Sequence, residues 1–254
     1  MNNDAGSRIA WITGASKGIG KALALRLAKN EWRIAASART AADLDALVTE
    51  QRELSISTYP LDVTDHKATW ETLDRIESEL GPISLAILNA GTHMPMMADE
   101  FSIKKFRQLV ETNLIGPANG LAALLPRMIS RKTGQIAIVS SVAGYRGLPT
   151  SAGYGATKAG LINMCEALRP DLERHGITLQ VVNPGFVETP LTDQNDFPMP
   201  FLISADDAAA RITRGLNGDA FEIAFPMRFI MLMKLLRLLP NRLYFSIMKR
   251  ILAQ

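Results

Sequence analysis

The chain has 254 residues, of which 47% are hydrophobic and 21% charged, with a formal net charge of +3. This length suits one α/β domain, and the composition is ordinary for a soluble protein. The one cysteine, Cys165, excludes an internal disulfide and is typical of a reducing compartment.

The charge is unevenly distributed along the chain. Residues 227–254 contain six basic residues and no acid, which leaves 22 basic and 25 acidic residues in 1–226. The larger part is therefore net negative, and we expect no nucleic-acid partner. The three histidines (His66, His93 and His175) lack metal-ligand spacing, so we expect no metal and treat all three as incidental. No signal-peptide pattern is present, which favours a cytoplasmic protein.

The first motif is a glycine-rich turn at 13–20, between a predicted strand and a predicted helix. Glycines let the backbone approach a pyrophosphate, and the helix N-terminus offers unpaired N–H groups. The alternative is a tight turn that only packs the helix on the sheet. We predict that this turn binds a dinucleotide through Gly14, Ser16, Lys17, Gly18, Ile19 and Gly20.

The residues after the second predicted strand bear on the choice of dinucleotide. An acid at this place binds a ribose 2′-hydroxyl, whereas an arginine suits a 2′-phosphate. The segment contains Ala38, Arg39 and Thr40, no acid occurs before Asp43, and Lys17 adds a second cation nearby. A guanidinium can bind phosphate through two hydrogen bonds. We therefore predict NADP(H) in preference to NAD(H), unless Arg39 is only a solvated charge.

Two further predicted strands end in residues that can face a cofactor. The third ends at Asp62 and Val63, where Asp62 can accept a hydrogen bond from an adenine amine or cap the following helix. The fourth runs into Asn89, Ala90 and Gly91, small residues that either admit a cofactor or form a simple turn. We predict that all five line the cofactor site.

A long helical pattern, 101–128, contains residues that an isolated helix would not choose: Asn113, Gly116, Pro117 and Gly120. Glycine and proline predict a kink just after Asn113, and a kink frees backbone groups. Asn113 is then placed either to hold a water near an active site or only to lie beside a bend.

The segment 141–158 follows a short apolar run that is typical of a buried strand. Ser141 lies at the strand end, where its hydroxyl can contact a substrate oxygen. Tyr154 and Lys158 lie four residues apart at the start of a predicted helix, so they share one face. An adjacent ammonium lowers the pKa of a tyrosine, which suits proton transfer near neutral pH. Taken alone, the pair also fits a solvated surface contact.

The helix that begins near Tyr154 extends to about His175. It contains Pro170, which is expected to kink or shorten its last turns. Cys165 falls in the apolar pattern of this helix, so we expect a core residue rather than a reactive thiol.

Alternating strands and helices predict one α/β domain, 1–226, with a doubly wound parallel sheet, followed by a helical extension, 227–254. Ligands bind such sheets beyond the carboxyl ends of the strands. An extended segment after the sixth strand is expected to hold the nicotinamide ring. Its candidate residues are Pro184, Gly185, Val187 and Thr189.

These motifs together resemble the short-chain dehydrogenase/reductase family, in its short single-domain branch, from residue 9 to about 218. The resemblance rests on Thr-Gly-x3-Gly-Ile-Gly at 13–20, Asn-Ala-Gly at 89–91, Asn113, Ser141, Tyr-x3-Lys at 154–158 and Pro-Gly-x-Val-x-Thr at 184–189. It implies a Rossmann sheet of about seven strands and an NADP(H)-selecting corner at 38–40.

The resemblance also implies the catalytic roles. Tyr154 is the acid/base, and Lys158 both anchors the cofactor ribose and adjusts the pKa of the tyrosine. Ser141 orients the substrate oxygen, and Asn113 holds a proton-relay water. Members usually form oligomers, so a homodimer or homotetramer is expected. The segment 199–209 is similar to members that act on bulky lipophilic carbonyls, and 192–200 is the expected lid.

The extension, 227–254, is apolar with interspersed basic residues, and its uncharged run is too short to span a bilayer. Lys234, Arg237 and Asn241 form one polar stripe beside a wide apolar face. One interpretation is a helical hairpin that lies peripherally on a membrane, with its basic residues toward lipid headgroups. The other is a lid or a dimer contact.

The sequence therefore predicts an NADPH-dependent oxidoreductase that interconverts a lipophilic ketone or aldehyde with an alcohol. The alternative from another class is a non-catalytic dinucleotide sensor or scaffold on the same fold. The complete set Asn113, Ser141, Tyr154 and Lys158 speaks against a sensor. A third interpretation is an enzyme of membrane-lipid metabolism that uses the extension as an anchor.

Overall fold

The structure, a computed structural model, describes residues 8–193 and 199–252. Its strands are β1 (Ile9–Thr13), β2 (Arg33–Ala38), β3 (Ile56–Pro60), β4 (Leu85–Leu88), β5 (Gly134–Val139), β6 (Ile177–Pro184) and β7 (Glu222–Phe225). They form one parallel sheet in the order β3-β2-β1-β4-β5-β6-β7. The predicted single-domain, doubly wound α/β sheet is therefore confirmed.

Helices connect these strands and cover both faces of the sheet. They are α1 (Gly18–Lys29), α2 (Ala41–Glu50), α3 (His66–Glu79), α4 (Ile103–Val110), α5 (Gly116–Arg131), α6 (Ala152–Arg174), α7 (Ala205–Leu216), α8 (Met227–Leu238) and α9 (Asn241–Leu252). Strand side chains alternate between the two faces. In β1, Ile9 and Trp11 pack in the core with α3, α5, α6 and α8, whereas Ala10 and Ile12 pack with α1, α2 and α7.

The strand order reverses between β1 and β4, which lie side by side in the sheet. The crossovers on either side of this point leave in opposite directions, so a crevice opens at the carboxyl ends of the two strands. The turn that follows Thr13 and the segment that follows Leu88 therefore face each other across the place where an α/β sheet binds ligands.

The predicted kink near Asn113 is a π-helical segment, Glu111–Ile115, between α4 and α5. Its wider turn precedes Gly116, where a Cβ would lie 2.8 Å from Cγ2 of Val63. Glycine is therefore needed at this position because α5 approaches the segment after β3 closely. Asn113 lies in the middle of the widened turn and is fully buried.

The prediction that Pro170 shortens its helix is wrong, because α6 continues to Arg174; the predicted kink at Pro170 stays a prediction. Proline removes one helical hydrogen bond, to the carbonyl four residues earlier. Pro170 and Glu166 are both exposed, so water can satisfy that carbonyl. Cys165 is fully buried in the same helix, as expected, and burial raises the pKa of its thiol to about 12.

The C-terminal extension consists of α8 and α9, joined at Leu239 and Pro240. Phe229, Ile230 and Met233 of α8 are buried against the core beside β7. In the ranges that the structure describes, no helix combines the length and the apolar character needed to cross a bilayer.

Candidate active site

A cleft of about 670 Å³ lies at the carboxyl ends of β1, β2 and β4. Most of the predicted cofactor residues line it: Gly14, Ser16, Lys17, Gly18, Ile19, Ala38, Arg39, Thr40, Asp62, Val63, Asn89, Ala90, Gly91 and Thr189. Residues far apart in the chain thus meet at one place, beyond the strand ends.

The glycine turn has the backbone that its sequence requires. Gly14 and Gly18 have φ angles of +65° and +53°, which other residues rarely adopt. A Cβ at Gly20 would lie 2.1 Å from the carbonyl oxygen of Gly14. Gly20 therefore packs α1 under the turn and does not line the cleft. No side chain caps the N-terminus of α1, so its positive end remains available to an anion.

Thr13 and Asn89 brace this turn from below. The Thr13 hydroxyl oxygen accepts hydrogen bonds from the backbone N–H groups of Asn89 (3.0 Å) and Ala90 (3.1 Å). The Asn89 amide donates to the carbonyl oxygens of Thr13 (3.0 Å) and Gly14 (3.2 Å). Asn89 therefore connects the end of β4 to the turn after β1, a role that the local sequence did not reveal.

The corner beyond β2 combines two cations with one carboxylate. Arg39 and Lys17 both line the cleft, but Lys17 Nζ lies 3.0 Å from Oδ2 of Asp43. From the sequence, Asp43 was the first acid after β2 and was not expected at the cofactor corner. It lies in the first turn of α2 and lines the cleft. These three side chains leave the corner with one net positive charge, which still suits an anionic group.

Asp62 is not the cap of the helix that follows it. Its Oδ1 accepts hydrogen bonds from the backbone N–H (3.0 Å) and hydroxyl (2.8 Å) of Thr64. The helix α3 is instead capped by Asp65, whose carboxylate accepts from the N–H of Ala68 at 2.9 Å. Asp62 stays on the cleft wall, and its predicted contact with an adenine amine stays a prediction.

The side chain of Asn113 fastens the segment after β4 to α6. Its Oδ1 accepts from the N–H of Thr92 at 2.7 Å. Its Nδ2 donates to the carbonyl oxygen of Thr92 at 2.9 Å and to Oγ1 of Thr157 at 3.2 Å. The amide is thus committed to protein partners, and the predicted relay water stays a prediction.

Gly91 joins the cleft to the catalytic candidates. A Cβ at this residue would lie 3.3 Å from Oδ1 of Asn113 and 3.6 Å from Nζ of Lys158. Gly91 also lines the cleft. Because glycine has no side chain, nothing at residue 91 separates a ligand in the cleft from Lys158.

Ser141, Tyr154 and Lys158 meet at the ends of β5 and α6. Ser141 lies close enough to Tyr154 for its hydroxyl to lower the pKa of the phenol. Lys158 is 4% exposed, and its Nζ donates to the carbonyl oxygen of Val139 at 2.8 Å. The same Nζ lies 5.5 Å from the centroid of the Tyr154 ring. The hydroxyl of Ser140 donates to the carbonyl of Lys158 at 2.8 Å and fastens the strand to the helix.

The expectation that Lys158 lowers the pKa of Tyr154 is wrong for this structure. Burial raises the pKa of Tyr154 above its ordinary value of 10.0, and the hydrogen bond with Ser141 offsets only part of this rise. Burial lowers the pKa of Lys158 itself to about 8. The Lys158 ammonium donates to the carbonyl of Val139, and burial and Ser141 are the influences that set the direction of the Tyr154 pKa. Tyr154 is consequently protonated at neutral pH.

Three candidates after β6 lie outside the cleft lining. The N–H of Gly185 donates to the carbonyl of Phe225 at 2.7 Å, and a Cβ there would lie 2.7 Å from the ring of Phe229. Val187 pairs with Ile203 and is buried. Pro184 is the last residue of β6, so these three residues contact neighbouring protein segments rather than the cleft. Of the four candidates at 184–189, Thr189 is the one that lines the cleft. Residues 194–198 of the predicted lid fall outside the described residues.

Sequence reasoning missed His93 as a neighbour of the catalytic candidates. This buried side chain lies with its ring centroid 4.8 Å from that of Tyr154, at an interplanar angle of 77°. The sequence analysis considered His93 only for metal-ligand spacing and did not predict this contact; its place two residues after Asn-Ala-Gly was the available signal. The cleft lining also includes residues that no motif indicated: Leu61, Thr64, Thr92, Gln108, Glu111, Thr112, Pro190 and Leu191.

Known proteins share both the sequence pattern and the fold. A family model described as short chain dehydrogenase matches residues 8–197. A Myxococcus xanthus protein named as an uncharacterized oxidoreductase is 38% identical over 247 residues, which cover 96% of this chain and 97% of that protein. The 3-oxoacyl-[acyl-carrier-protein] reductase FabG of Thermotoga maritima is 32% identical over 225 residues, 88% of this chain and 89% of the reductase.

Solved structures agree with this match. A short-chain dehydrogenase from Streptomyces avermitilis has a TM-score of 0.80 and 25% identity, covering 89% of this chain and 91% of that one. The protein ElxO, solved with NADP bound, has a TM-score of 0.78 and 26% identity, covering 86% of this chain and 97% of its own.

Proposed function

Because the chain belongs to the short-chain dehydrogenase/reductase family, we propose that it is an NADPH-dependent oxidoreductase that interconverts a ketone or aldehyde with an alcohol. The observation that carries the proposal is the placement of Lys158, whose Nζ lies 5.5 Å from the centroid of the Tyr154 ring, next to Gly91 at the cleft, with Ser141 near the same tyrosine. Gly91 links this group to a cleft that is lined by the glycine turn and by the start of α1, whose N-terminus has no side-chain cap. These residues fit a dinucleotide.

In the reduction, the bound NADPH supplies a hydride to the carbonyl carbon. Ser141 holds the carbonyl oxygen, and the protonated Tyr154 donates its phenolic proton to that oxygen as the alcohol forms. Tyr154 is protonated at neutral pH, so its phenol has a proton to donate in this direction. Lys158 lies next to Gly91 and is placed to contact the cofactor ribose, and solvent returns the proton to Tyr154.

The preference for NADPH is supported by the charges at the corner beyond β2. Arg39 and Lys17 line it, and Asp43 neutralises only one of them. A 2′-phosphate is more anionic than a hydroxyl and suits this residual charge. ElxO, which is similar in sequence and fold, was solved with NADP bound, and this supports the same cofactor here. FabG is named as a 3-oxoacyl-[acyl-carrier-protein] reductase, which supports a carbonyl substrate.

We further propose a lipophilic carbonyl substrate, a cytoplasmic location and a homo-oligomeric state. Pro190 and Leu191 give the cleft an apolar wall on the side of Thr189. Phe201 and Leu202, which follow the predicted lid in the chain, are exposed apolar residues. The free Cys165 is buried, as expected in a reducing compartment.

The test is a Tyr154→Phe variant, in which the phenolic proton is lost and the ring is kept. We expect turnover to fall by about 10³-fold or more while NADPH binding, followed by cofactor fluorescence, is retained. The matched control is Tyr244→Phe, which removes a hydroxyl that donates to Gly147 outside the site. NADPH consumption is measured against a series of lipophilic ketones and aldehydes, with NADH in parallel.

A fully active Tyr154→Phe enzyme would contradict the assigned role. The alternative of a non-catalytic sensor requires tight NADPH binding by the unmodified protein with no consumption for any carbonyl in the series. The third interpretation, membrane-lipid metabolism, requires turnover of carbonyls carried in lipid and none of the soluble ones.

A further inference from the structure

The C-terminal helices expose an unusual amount of apolar side chain. In the described residues, ten of the sixteen exposed large hydrophobic side chains belong to α8 and α9. They are Met227, Met231, Leu232, Leu235, Leu238, Leu243, Phe245, Ile247, Ile251 and Leu252. We call the exposed side of these two helices the hairpin surface. A concentration of this kind on one part of a folded chain marks a place of contact.

Each helix rests on the protein by a narrow strip. In α8 the strip is Phe229, Ile230 and Met233, and in α9 it is Tyr244 and Met248. The side of α8 away from the strip exposes Met227, Met231, Leu235 and Leu238, and its exposed charges are all basic. An ordinary surface helix is polar on this side, so these apolar side chains are stabilised where a second apolar medium covers them.

The hairpin surface is held firmly to the rest of the chain. The Arg146 guanidinium donates to the carbonyl of Leu239 at 2.7 Å and to Oδ1 of Asn241 at 2.9 Å, and lies 3.8 Å from the ring centroid of Tyr244. The Lys234 ammonium lies 2.5 Å from the carboxylate of Glu222 at the edge of the sheet. The exposed apolar side chains therefore belong to two anchored helices, and their exposure is a property of the folded protein.

The charges beside this apolar surface all have one sign. Residues 227–254 carry six basic residues and no acid. On α9, Arg242, Lys249 and Arg250 are exposed on the side opposite Tyr244 and Met248. Exposed apolar residues therefore flank a row of cations, a combination typical of helices that lie in the interface of an anionic bilayer.

A second copy of the chain fits this surface less well. A two-fold dimer brings the same patch of both copies together. Apart from Lys234, which pairs with Glu222, the basic residues of one segment would then face those of the other, with no acid in either segment to pair them. Anionic lipid headgroups neutralise the cations, while the acyl region accepts the apolar side chains. One occupant thus meets both requirements.

We propose that the hairpin surface docks the protein on anionic lipid bilayers, with α8 and α9 lying in the interface. The docking does not depend on the proposed reaction. It bears on the site because Phe201, in the loop after the predicted lid, has its ring centroid 6.2 Å from that of Phe229 in α8. Docking through α8 therefore brings this loop, with exposed Phe201 and Leu202, close to the lipid.

The experiment is co-sedimentation of the full chain with vesicles of equal parts phosphatidylglycerol and phosphatidylcholine, and with phosphatidylcholine alone. We expect binding to the mixed vesicles, weakened by salt because the attraction is partly electrostatic. The variant Arg242→Gln/Lys249→Gln/Arg250→Gln should weaken it on the order of a hundredfold, since each cation near the surface contributes about fivefold. The apolar variant Leu243→Ser/Phe245→Ser/Ile251→Ser should weaken it at least tenfold.

Two control variants change the same chemistry elsewhere on the surface. Arg52→Gln/Lys67→Gln/Lys104→Gln removes three exposed cations, and Phe101→Ser/Ile103→Ser removes two exposed apolar side chains. Both should bind the mixed vesicles within about twofold of the unmodified protein. A loss equal to that of the hairpin variants would overturn the proposal, because it would show adhesion without a defined surface.

A measurement on the unmodified protein removes any dependence on how the variants fold. Mixed vesicles should slow amide hydrogen exchange in 227–252 and leave 18–29 unchanged. The proposal is overturned if the protein stays in the supernatant at low salt. It is equally overturned if sedimentation velocity shows a dimer that the apolar variant dissociates while no vesicle is bound, since the second copy is then the occupant.

Discussion

The cofactor cleft and the hairpin surface differ in what their side-chain contacts stabilise: an open cavity in the first, and exposed apolar side chains in the second. At the cleft, Thr13, Asn89 and Asn113 satisfy backbone groups with side-chain hydrogen bonds, so a cavity stays open between rigid walls. At the hairpin, Arg146 and Glu222 anchor two helices whose outer apolar side chains remain exposed. The first region is preorganised for a small polar ligand and the second for an extended surface. Changes to their supports should therefore separate ligand binding from surface docking.

The largest effect is expected at Gly20, where any side chain collides with the turn. Gly20→Ala would place a Cβ 2.1 Å from the Gly14 carbonyl. We expect the free energy of unfolding to fall by about 3 kcal/mol, as for severe overpacking, and NADPH affinity to fall at least tenfold. Gly147→Ala is the control, because nothing lies within 4 Å of the added atom. Denaturant unfolding measures the loss of stability, and NADPH titration measures the loss of affinity. Equal effects of Gly20→Ala and Gly147→Ala would show that the turn is not rigid.

Lys158 should make stability depend on pH. Burial lowers its pKa to about 8 from an ordinary 10.5. Between these values the unfolded chain binds more protons than the folded one, so the free energy of unfolding should rise with pH, by up to about 3 kcal/mol. Lys158→Met should lack this rise and lose turnover. Chemical denaturation of both proteins from pH 7 to pH 10 tests it, and parallel profiles would contradict a buried ammonium.

Tyr154 also contributes to the pH dependence of stability, and this contribution is removed when the free energies of unfolding of the unmodified protein and the Lys158→Met variant are subtracted. Burial raises the pKa of Tyr154, which favours the folded state as long as the phenol is neutral. Stability from that group is lost above pH 10 in both proteins. It therefore cancels in the comparison, and the remaining slope belongs to Lys158.

Arg146 should affect the hairpin and spare the cleft. Arg146→Ala removes the donors to Leu239 and Asn241 and the contact with the Tyr244 ring. We expect a loss of about 2 kcal/mol in the free energy of unfolding, with NADPH affinity unchanged. Arg211→Ala, which breaks an exposed ion pair with Asp207, should cost less than about 0.5 kcal/mol. If Arg146→Ala also weakened NADPH binding, the two regions would not be independent.

The smallest effect concerns the choice of cofactor. Arg39→Ala should weaken NADPH binding about tenfold and leave NADH binding unchanged, since one charge-assisted contact with phosphate is lost. Lys17→Ala should do less, because Lys17 is exposed and already paired with Asp43. Dissociation constants for both dinucleotides test this ranking. A larger effect of Lys17→Ala would assign the phosphate contact to the glycine turn.

Much of the fold and site follows from local patterns. The alternation of strands and helices indicated the parallel sheet, and the glycine turn, Asn113, Ser141 and Tyr154 stand at strand ends or helix bends that the sequence marks. Such features depend on residues within a few positions of one another, so periodicity and turn chemistry reveal them. The basic, acid-free character of 227–254 is likewise visible in the sequence.

Other properties were decided by contacts between residues distant in the chain. The raised pKa of Tyr154 results from burial, and the Lys158 ammonium, which was expected to lower it, donates to the carbonyl of Val139. The His93 ring contacts the Tyr154 ring because the segments that follow two different strands meet at one edge of the sheet. The Phe229 ring packs against Gly185 for the same reason, since a Cβ there would occupy its place. The residues near a side chain in sequence do not determine which distant atoms will surround it in the folded protein. Those surroundings set the pKa of the side chain, its packing and its exposure to solvent.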